Sequence, residues 1–277
     1  METASLSTGQ CQAFLHSLVD TETEQGFSTS GLSKVALSLV MDFAVRMGLR
    51  RENPVVFITP LPKKVTTPQA PGADLVGQMR QWIRAYVGVE GRSGPKPNRR
   101  VSDVFELLLA TGARVGEVMA ARWDDVDLVA GTLTISGTLV ERGALYRQPF
   151  PKTSKSHRTL LLPVWAHELL LELHKLRNPE AVSGGIFTTS SGRFASMSNF
   201  RHALRGTLDF SEATPSGVHP HAFRKTVATL LADGLGENAA MQQLGHSSPE
   251  VTRKSYNQRA DQVPDCRPVL ESLALWQ

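Results

Sequence analysis

The sequence predicts a mainly α-helical protein with one small antiparallel β-sheet, an α+β chain, and three observations carry that prediction. Apolar residues recur at helical spacing over most of the chain, for example Leu32, Val35, Leu39, Phe43 and Met47, and again Phe223, Val227, Leu230 and Leu231. Only residues 131–163 alternate apolar and polar positions between turn formers, as strands do. Glycines stand where helices should stop, at Gly48, Gly112, Gly234 and Gly245.

Composition bounds the function classes. With 277 residues, 41% hydrophobic and 20% charged, the chain is long and apolar enough to bury a full core, which argues against a largely disordered protein. The balance of 30 Lys+Arg against 26 Asp+Glu, a formal net charge of +4, tolerates a polyanionic partner without demanding one. Cys11 and Cys266 are the only cysteines, so neither a disulfide framework nor a thiolate zinc site is available, and a reducing cytoplasm fits. The first residues carry no basic segment followed by an apolar one, and no run reaches the ~18 apolar residues of a membrane span. Secretion and membrane insertion are therefore not expected.

Taken in order, Ser7 or Thr8 caps a first helix containing Cys11, Phe14, Leu15 and Leu18. The stripe Leu32–Val35–Leu39–Phe43–Met47 marks a second, read as core packing and stopped at Gly48. Five prolines between Pro54 and Pro71 then interrupt regular structure, and that stretch reads as a linker. Two short helices make a thin core, so residues 1–62 are a fragment of a larger domain or a module steadied by a partner.

An amphipathic helix opening at Ala73 and running to about Tyr86 follows, and after it a basic Gly/Pro-rich loop holding Arg92, Lys96, Arg99 and Arg100. Val104, Phe105, Leu108 and Leu109 mark a helix ending at Thr111-Gly112, directly before Arg114. An arginine at a helix start suits anion binding, although a pairing with Glu117 one turn on explains it equally well. The alternating stretch predicts three strands, with a turn at Glu141-Arg142-Gly143 and a basic hairpin carrying Lys152 and Lys155. Helices over 165–176 and 199–208 come next, the latter bearing Arg201, His202 and Arg205.

The chemistry concentrates between His219 and Tyr256. His221 and Arg224 lie one turn apart on a helix whose other face is Phe223, Val227 and Leu231. A lone histidine there is usually a hydrogen-bonded structural residue, but an arginine beside an apolar seam needs an anion or dense hydrogen bonding. The short helix ENAAMQQL ends at Gly245 before His246, and Ser248-Pro249 opens the helix that carries Tyr256.

Three blocks, ATGARVGEVMAARWDDVDL, PKTSKSHRTLLLP and HAFRKTVATLLADG followed by LGHSSPEVTRKSY, resemble in order and spacing the tyrosine recombinases, also called the phage-integrase family. The wording is most similar to actinobacterial and actinophage members. The resemblance implies a tyrosine-recombinase catalytic fold over residues 63–277, with residues 1–62 forming a partial core-DNA-binding, SAM-like helical segment. It implies a catalytic set of Arg114, Lys152 (or Lys155), His221, Arg224, His246 and the nucleophile Tyr256, with Glu117 supporting Arg114. Tyr86 and Tyr146, the other tyrosines, do not stand ten residues past the Leu-Gly-His histidine.

The implied activity is site-specific cleavage and rejoining of DNA strands through a 3′-phosphotyrosyl link, with neither metal nor cofactor. Double-stranded DNA is the implied partner, contacted by Arg92, Lys96, Arg99, Arg100, Lys155, Arg201 and Lys225. Four copies of the chain are expected on synapsed sites, at the bacterial nucleoid, with the apolar C-terminal tail docking on a neighbour. The alternatives are a catalytically silent DNA-binding remnant with a truncated clamp, and a resolvase or topoisomerase using the same chemistry.

Overall fold

The computed structural model describes residues 6–62, 71–87, 99–149, 157–209, 220–245 and 264–275. The chain divides into two compact units, Met1–Thr67 and Pro68–Gln277. No helix among the described residues is long and apolar enough to cross a membrane.

The first unit contains α1 (Thr8–Ser17) and α2 (Phe27–Arg46). Ser7 Oγ accepts from the Gln10 N–H while Gln10 Oε1 accepts from the Ser7 N–H, the reciprocal cap that starts α1. The core is small: Cys11, Leu15, Met41, Val55 and Ile58. Two sequence expectations fail in this unit. Val55 and Ile58, placed in a linker, are buried, and Asn53 fastens that turn to α2 by donating to Asp42 Oδ1 at 2.7 Å and accepting from the Val55 N–H at 2.9 Å. The expected core stripe Leu32, Val35, Leu39, Phe43 and Met47 is exposed, each by more than half, whereas Met41 and Ala44 point inward. The reason is that α2 is apolar around most of its circumference, and periodicity alone does not say which edge of so broad a stripe its neighbour covers.

The second unit is built on α4 (Arg100–Thr111), which is buried on nearly every side. Packed around it are α3 (Ala73–Val87), α6 (Val164–Lys175), α7 (Met197–Asp209) and α8 (Pro220–Leu235). Phe105 of α4 meets Phe223 of α8 edge to face at 5.0 Å, at the centre of this core. The short helices α5 (Val115–Met119), α9 (Glu237–Leu244) and α10 (Arg267–Leu270) complete the helical set among the described residues.

The strands differ from expectation in number. Strands β1 (Val126–Asp127), β2 (Thr132–Ile135) and β5 (Arg158–Leu161) form one antiparallel sheet in the order β1-β2-β5, and β3 (Thr138–Arg142) pairs only with β4 (Ala144–Gln148). The run read as a single strand breaks at Ser136-Gly137. A side chain at Gly137 would come within 2.7 Å of the Arg147 guanidinium carbon, and that guanidinium bonds Ser136 Oγ and the Ala120 carbonyl across the break. The β3–β4 turn falls at Gly143, whose positive φ of 71° suits glycine.

The C-terminal tail also departs from expectation. Cys266, Leu270 and Leu273 are buried in the core of their own unit, and Glu271 accepts from the Val164 N–H at the start of α6. These side chains are therefore covered by their own chain.

Candidate active site

The site begins where α4 ends. Gly112 caps α4 in the left-handed conformation, φ 61°, so that the chain turns sharply and delivers Arg114 to the head of α5. The N–H of Arg114 donates to Glu117 Oε2 at 3.0 Å, and its Nη1 donates to Glu117 Oε1 at 2.7 Å. The pairing weighed in the sequence is thus the observed one. The helix-start argument for anion binding is not supported, because α5 has only five residues and the Arg114 N–H is already bonded to the carboxylate. Glu117 is 3% exposed, whereas the Arg114 side chain is 40% exposed, so the guanidinium is held on one nitrogen and open to solvent elsewhere.

Arg224 reaches the same place from α8 and is 3% exposed. Its Nη1 donates to the Gly112 carbonyl at 2.8 Å and its Nη2 to the Leu244 carbonyl at 2.7 Å. These carbonyls belong to the C-terminal ends of α4 and α9, where helices leave acceptors unfilled and carry partial negative charge. That arrangement answers the question an arginine next to Phe223 and Val227 poses. Nε is buried without a partner among the described residues. Burial first, and then the charge of Arg114, pull the Arg224 guanidinium down to about 10, with Glu117 opposing them. At neutral pH it is still a cation.

Arg158 carried no assigned role in the sequence, and the structure buries it beside the other two. On β5 it shares the inward face with Leu160, and it is 3% exposed. Its Nε donates to the Gln243 carbonyl at 2.6 Å and its Nη2 lies 3.4 Å from Glu117 Oε2. Burial pushes its pKa below the usual arginine value, and Glu117 works against that. The signal was legible: in SHRTLLLP the period of two that buries Leu160 also buries residue 158. Gln243, 1% exposed, joins this layer by donating to the Thr111 carbonyl at 3.2 Å.

Above the layer lies a pocket of about 560 Å³ lined by Arg114, Thr138, Met197, Arg201, His221 and Arg224 among others. His221 is exposed at its edge, one turn before Arg224. Arg201 of α7 lines the wall. The guanidiniums of Arg114 and Arg158 pair with the carboxylate of Glu117, that of Arg224 lies close enough to feel its charge, and Arg114 and Arg224 line a cavity fit for an anion.

The other expected residues divide into two groups. Arg99 is engaged with Asp103 at 3.0 Å and Glu172 at 2.7 Å, and Arg100 donates to the Thr188 carbonyl, so neither lines the pocket. Lys225 is half-buried on α8 and also absent from the lining. Arg92, Lys96, Lys152, Lys155, His246 and Tyr256 lie outside the described residues. Of the rival tyrosines, Tyr86 is packed against Gly206 of α7 and Tyr146 stands on β4, and neither lines the pocket.

Comparison with known proteins agrees with this architecture. The chain is 26% identical over 223 residues to the tyrosine recombinase XerC of Alcanivorax borkumensis, covering 76% of this chain and 62% of that protein. It is 27% identical to XerC of Bacillus pumilus, covering 83% and 71%. To the integrase of Staphylococcus phage L54a it is 28% identical, covering 56% and 47%, so the chain spans between about half and 71% of the length of these relatives.

Among solved structures, the Tn1549 transposon integrase in complex with a circular intermediate DNA superposes with a TM-score of 0.74 at 18% identity, covering 89% of this chain and 79% of that one. A lambda integrase tetramer bound to a Holliday junction gives 0.62 at 17% identity, covering 92% and 67%. Both share the fold. Residues 92–263, more than half the chain, match the model of the phage integrase family, and the chain belongs to that family.

Proposed function

We propose that this chain is a tyrosine-type site-specific DNA recombinase that cleaves and rejoins DNA strands through a 3′-phosphotyrosyl intermediate. The observation that carries the reading is the convergence of Arg114 and Arg224 on one pocket edged by His221, over a buried layer that fixes both arginines. A phosphodiester undergoing displacement concentrates negative charge on its non-bridging oxygens, and two preorganised guanidiniums stabilise that charge.

In this reading the Tyr256 phenol attacks phosphorus, forming the tyrosine–phosphate bond as the bond to the 5′-oxygen breaks. Lys152, or else Lys155, delivers the proton that the departing 5′-oxygen takes up. His221 receives or orients the phenolic proton, and His246 donates a further hydrogen bond to the phosphate. The phosphotyrosyl link conserves the bond energy, so a 5′-hydroxyl from a second strand reverses the reaction without an outside energy source.

Strand exchange between two duplexes requires several such sites acting together, and a tetramer on synapsed DNA at the nucleoid is the assembly we propose. The lambda integrase neighbour, a tetramer on a Holliday junction, supports it. DNA backbone contacts fall to Arg201 in the pocket wall and to Arg92, Lys96, Lys155 and Lys225, which would add salt-dependent affinity without reading sequence.

The test is incubation with nicked suicide duplexes carrying prophage attachment sequences, followed by denaturing electrophoresis. A covalent protein–DNA adduct that vanishes in Tyr256→Phe is expected. Absence of any adduct with a well-folded protein would leave only the DNA-binding reading.

A further inference from the structure

Arg158 does not line the pocket, yet its contacts reach the partners of both arginines that do. A guanidinium buried to 3% exposure is costly unless its donors are met, and here they are met in two directions. One is the Glu117 carboxylate, which holds Arg114 by its backbone and its side chain. The other is the Gln243 carbonyl in the last turn of α9. The next carbonyl along that turn, Leu244, accepts from Arg224. Two successive carbonyls at the end of α9 are thus held by two arginines, one from β5 and one from α8.

The backbone is shaped to this contact. Gly245 caps α9 at a positive φ of 65°, and a side chain there would stand 2.9 Å from Arg158 Nη1. No other residue fits that turn without moving the guanidinium.

We propose that Arg158 is a positioning residue: through Glu117 it sets Arg114, and through the Gln243 carbonyl it fixes the end of α9 whose Leu244 carbonyl holds Arg224, so that the two arginines meet one phosphate in a common register. The proposal rests on the strand-transfer reading above. A lysine at 158 keeps the charge but has one donor centre in place of a planar fork, so it cannot serve the carboxylate and the carbonyl at the same time.

The experiment compares the wild-type chain with Arg158→Lys and Arg158→Gln in three measurements. These are thermal melting, single-turnover adduct formation at saturating nicked duplex with the DNA Kd, and binding of inorganic phosphate by calorimetry. In the folded Lys variant we expect adduct formation slowed about 100-fold, the cost of a misplacement near 1 Å. DNA Kd should change less than about threefold, because phosphate contacts elsewhere dominate affinity. Phosphate binding should weaken about tenfold, as one arginine of the pair loses its register.

A Glu117→Gln/Arg158→Lys double variant should be hardly slower than the worse single one, because both act through the same link. A Lys variant that cleaves at the wild-type rate, a rate loss that only tracks the unfolded fraction, or additive effects in the double variant would overturn the proposal. Should the Lys variant fail to fold, the Gln variant is judged by the same outcomes. If the wild type forms no adduct, the strand-transfer reading fails, while equal phosphate affinity in wild type and variant would overturn the positioning role independently.

Discussion

Arg114 and Arg224 bring the same group to one pocket from opposite surroundings. At the rim, Arg114 is anchored through one nitrogen to a carboxylate and is 40% exposed. On the floor, Arg224 is 3% exposed and spends two nitrogens on the carbonyl ends of two helices. The difference assigns them different debts to the fold. The floor arginine closes α4 and α9 together and is part of the architecture as well as of the proposed chemistry. The rim arginine leans on that architecture and contributes less to it.

That contrast is open to breakage. Arg224→Ala should have the largest effect, abolishing adduct formation and destabilising the protein by about 2–4 kcal/mol, since two buried carbonyls lose their donors. Urea denaturation beside the adduct assay reads both. Arg114→Ala should slow adduct formation about 100- to 1000-fold, the range for removing one donor to developing charge, while costing about 1–2 kcal/mol of stability, because the buried Glu117 carboxylate loses one partner but keeps the backbone N–H of residue 114 and Arg158. A large stability loss at Arg114 would erase the distinction between rim and floor.

Leu270 calibrates the comparison from the other side, as a residue of the fold alone. It is fully buried in the core of the second unit, so Leu270→Ala should cost about 3 kcal/mol with no change in the cleavage rate per folded molecule. Denaturant titration and active-site counting check it. A slower rate per folded molecule would place the tail in the chemistry.

The smallest effect is one of pH. The folded pKa of Arg224, about 10, lies below that of the unfolded chain, so from about 10 up to the ordinary arginine value the unfolded chain holds more protons. The cost of burying this cation is therefore present in full below about pH 10 and is relieved as pH rises through that window. Its grip on dianionic phosphate runs the other way, flat from about pH 8 to 9 and falling as pH passes about 10. Calorimetry with inorganic phosphate in Tyr256→Phe, which lacks the competing phenol, reads the fall.

How far these features were legible in the sequence depended on whether they were local. Helix limits at Gly112 and Gly245 could be read, because a positive-φ cap is a property of one residue, whereas the limit expected at Gly234 was wrong: α8 runs through it to Leu235, and the positive-φ glycine is Gly236. The family resemblance marked Arg114, Glu117, His221 and Arg224, and the structure brings all four together. What escaped was set by contacts distant in the chain. The burial of Arg158 could be read from the strand's period of two, but its partner Gln243, 85 positions away, could not. The stripe on α2 was assigned to the core because nothing in a broad apolar helix tells which edge its neighbour will cover. One long strand became β2 and β3 because the space beside Gly137 belongs to Arg147.

In the proposed reaction, Arg114 and Arg224 act by neutralising charge on the phosphate that Tyr256 attacks. The most direct test replaces the scissile phosphate with a methylphosphonate, which removes one negative oxygen, and compares single-turnover adduct formation by wild type and Arg114→Ala on both substrates. The deficit of the variant, about 100-fold or more on phosphate, should shrink to about tenfold or less on the neutral substrate. An equal deficit on both would contradict that role.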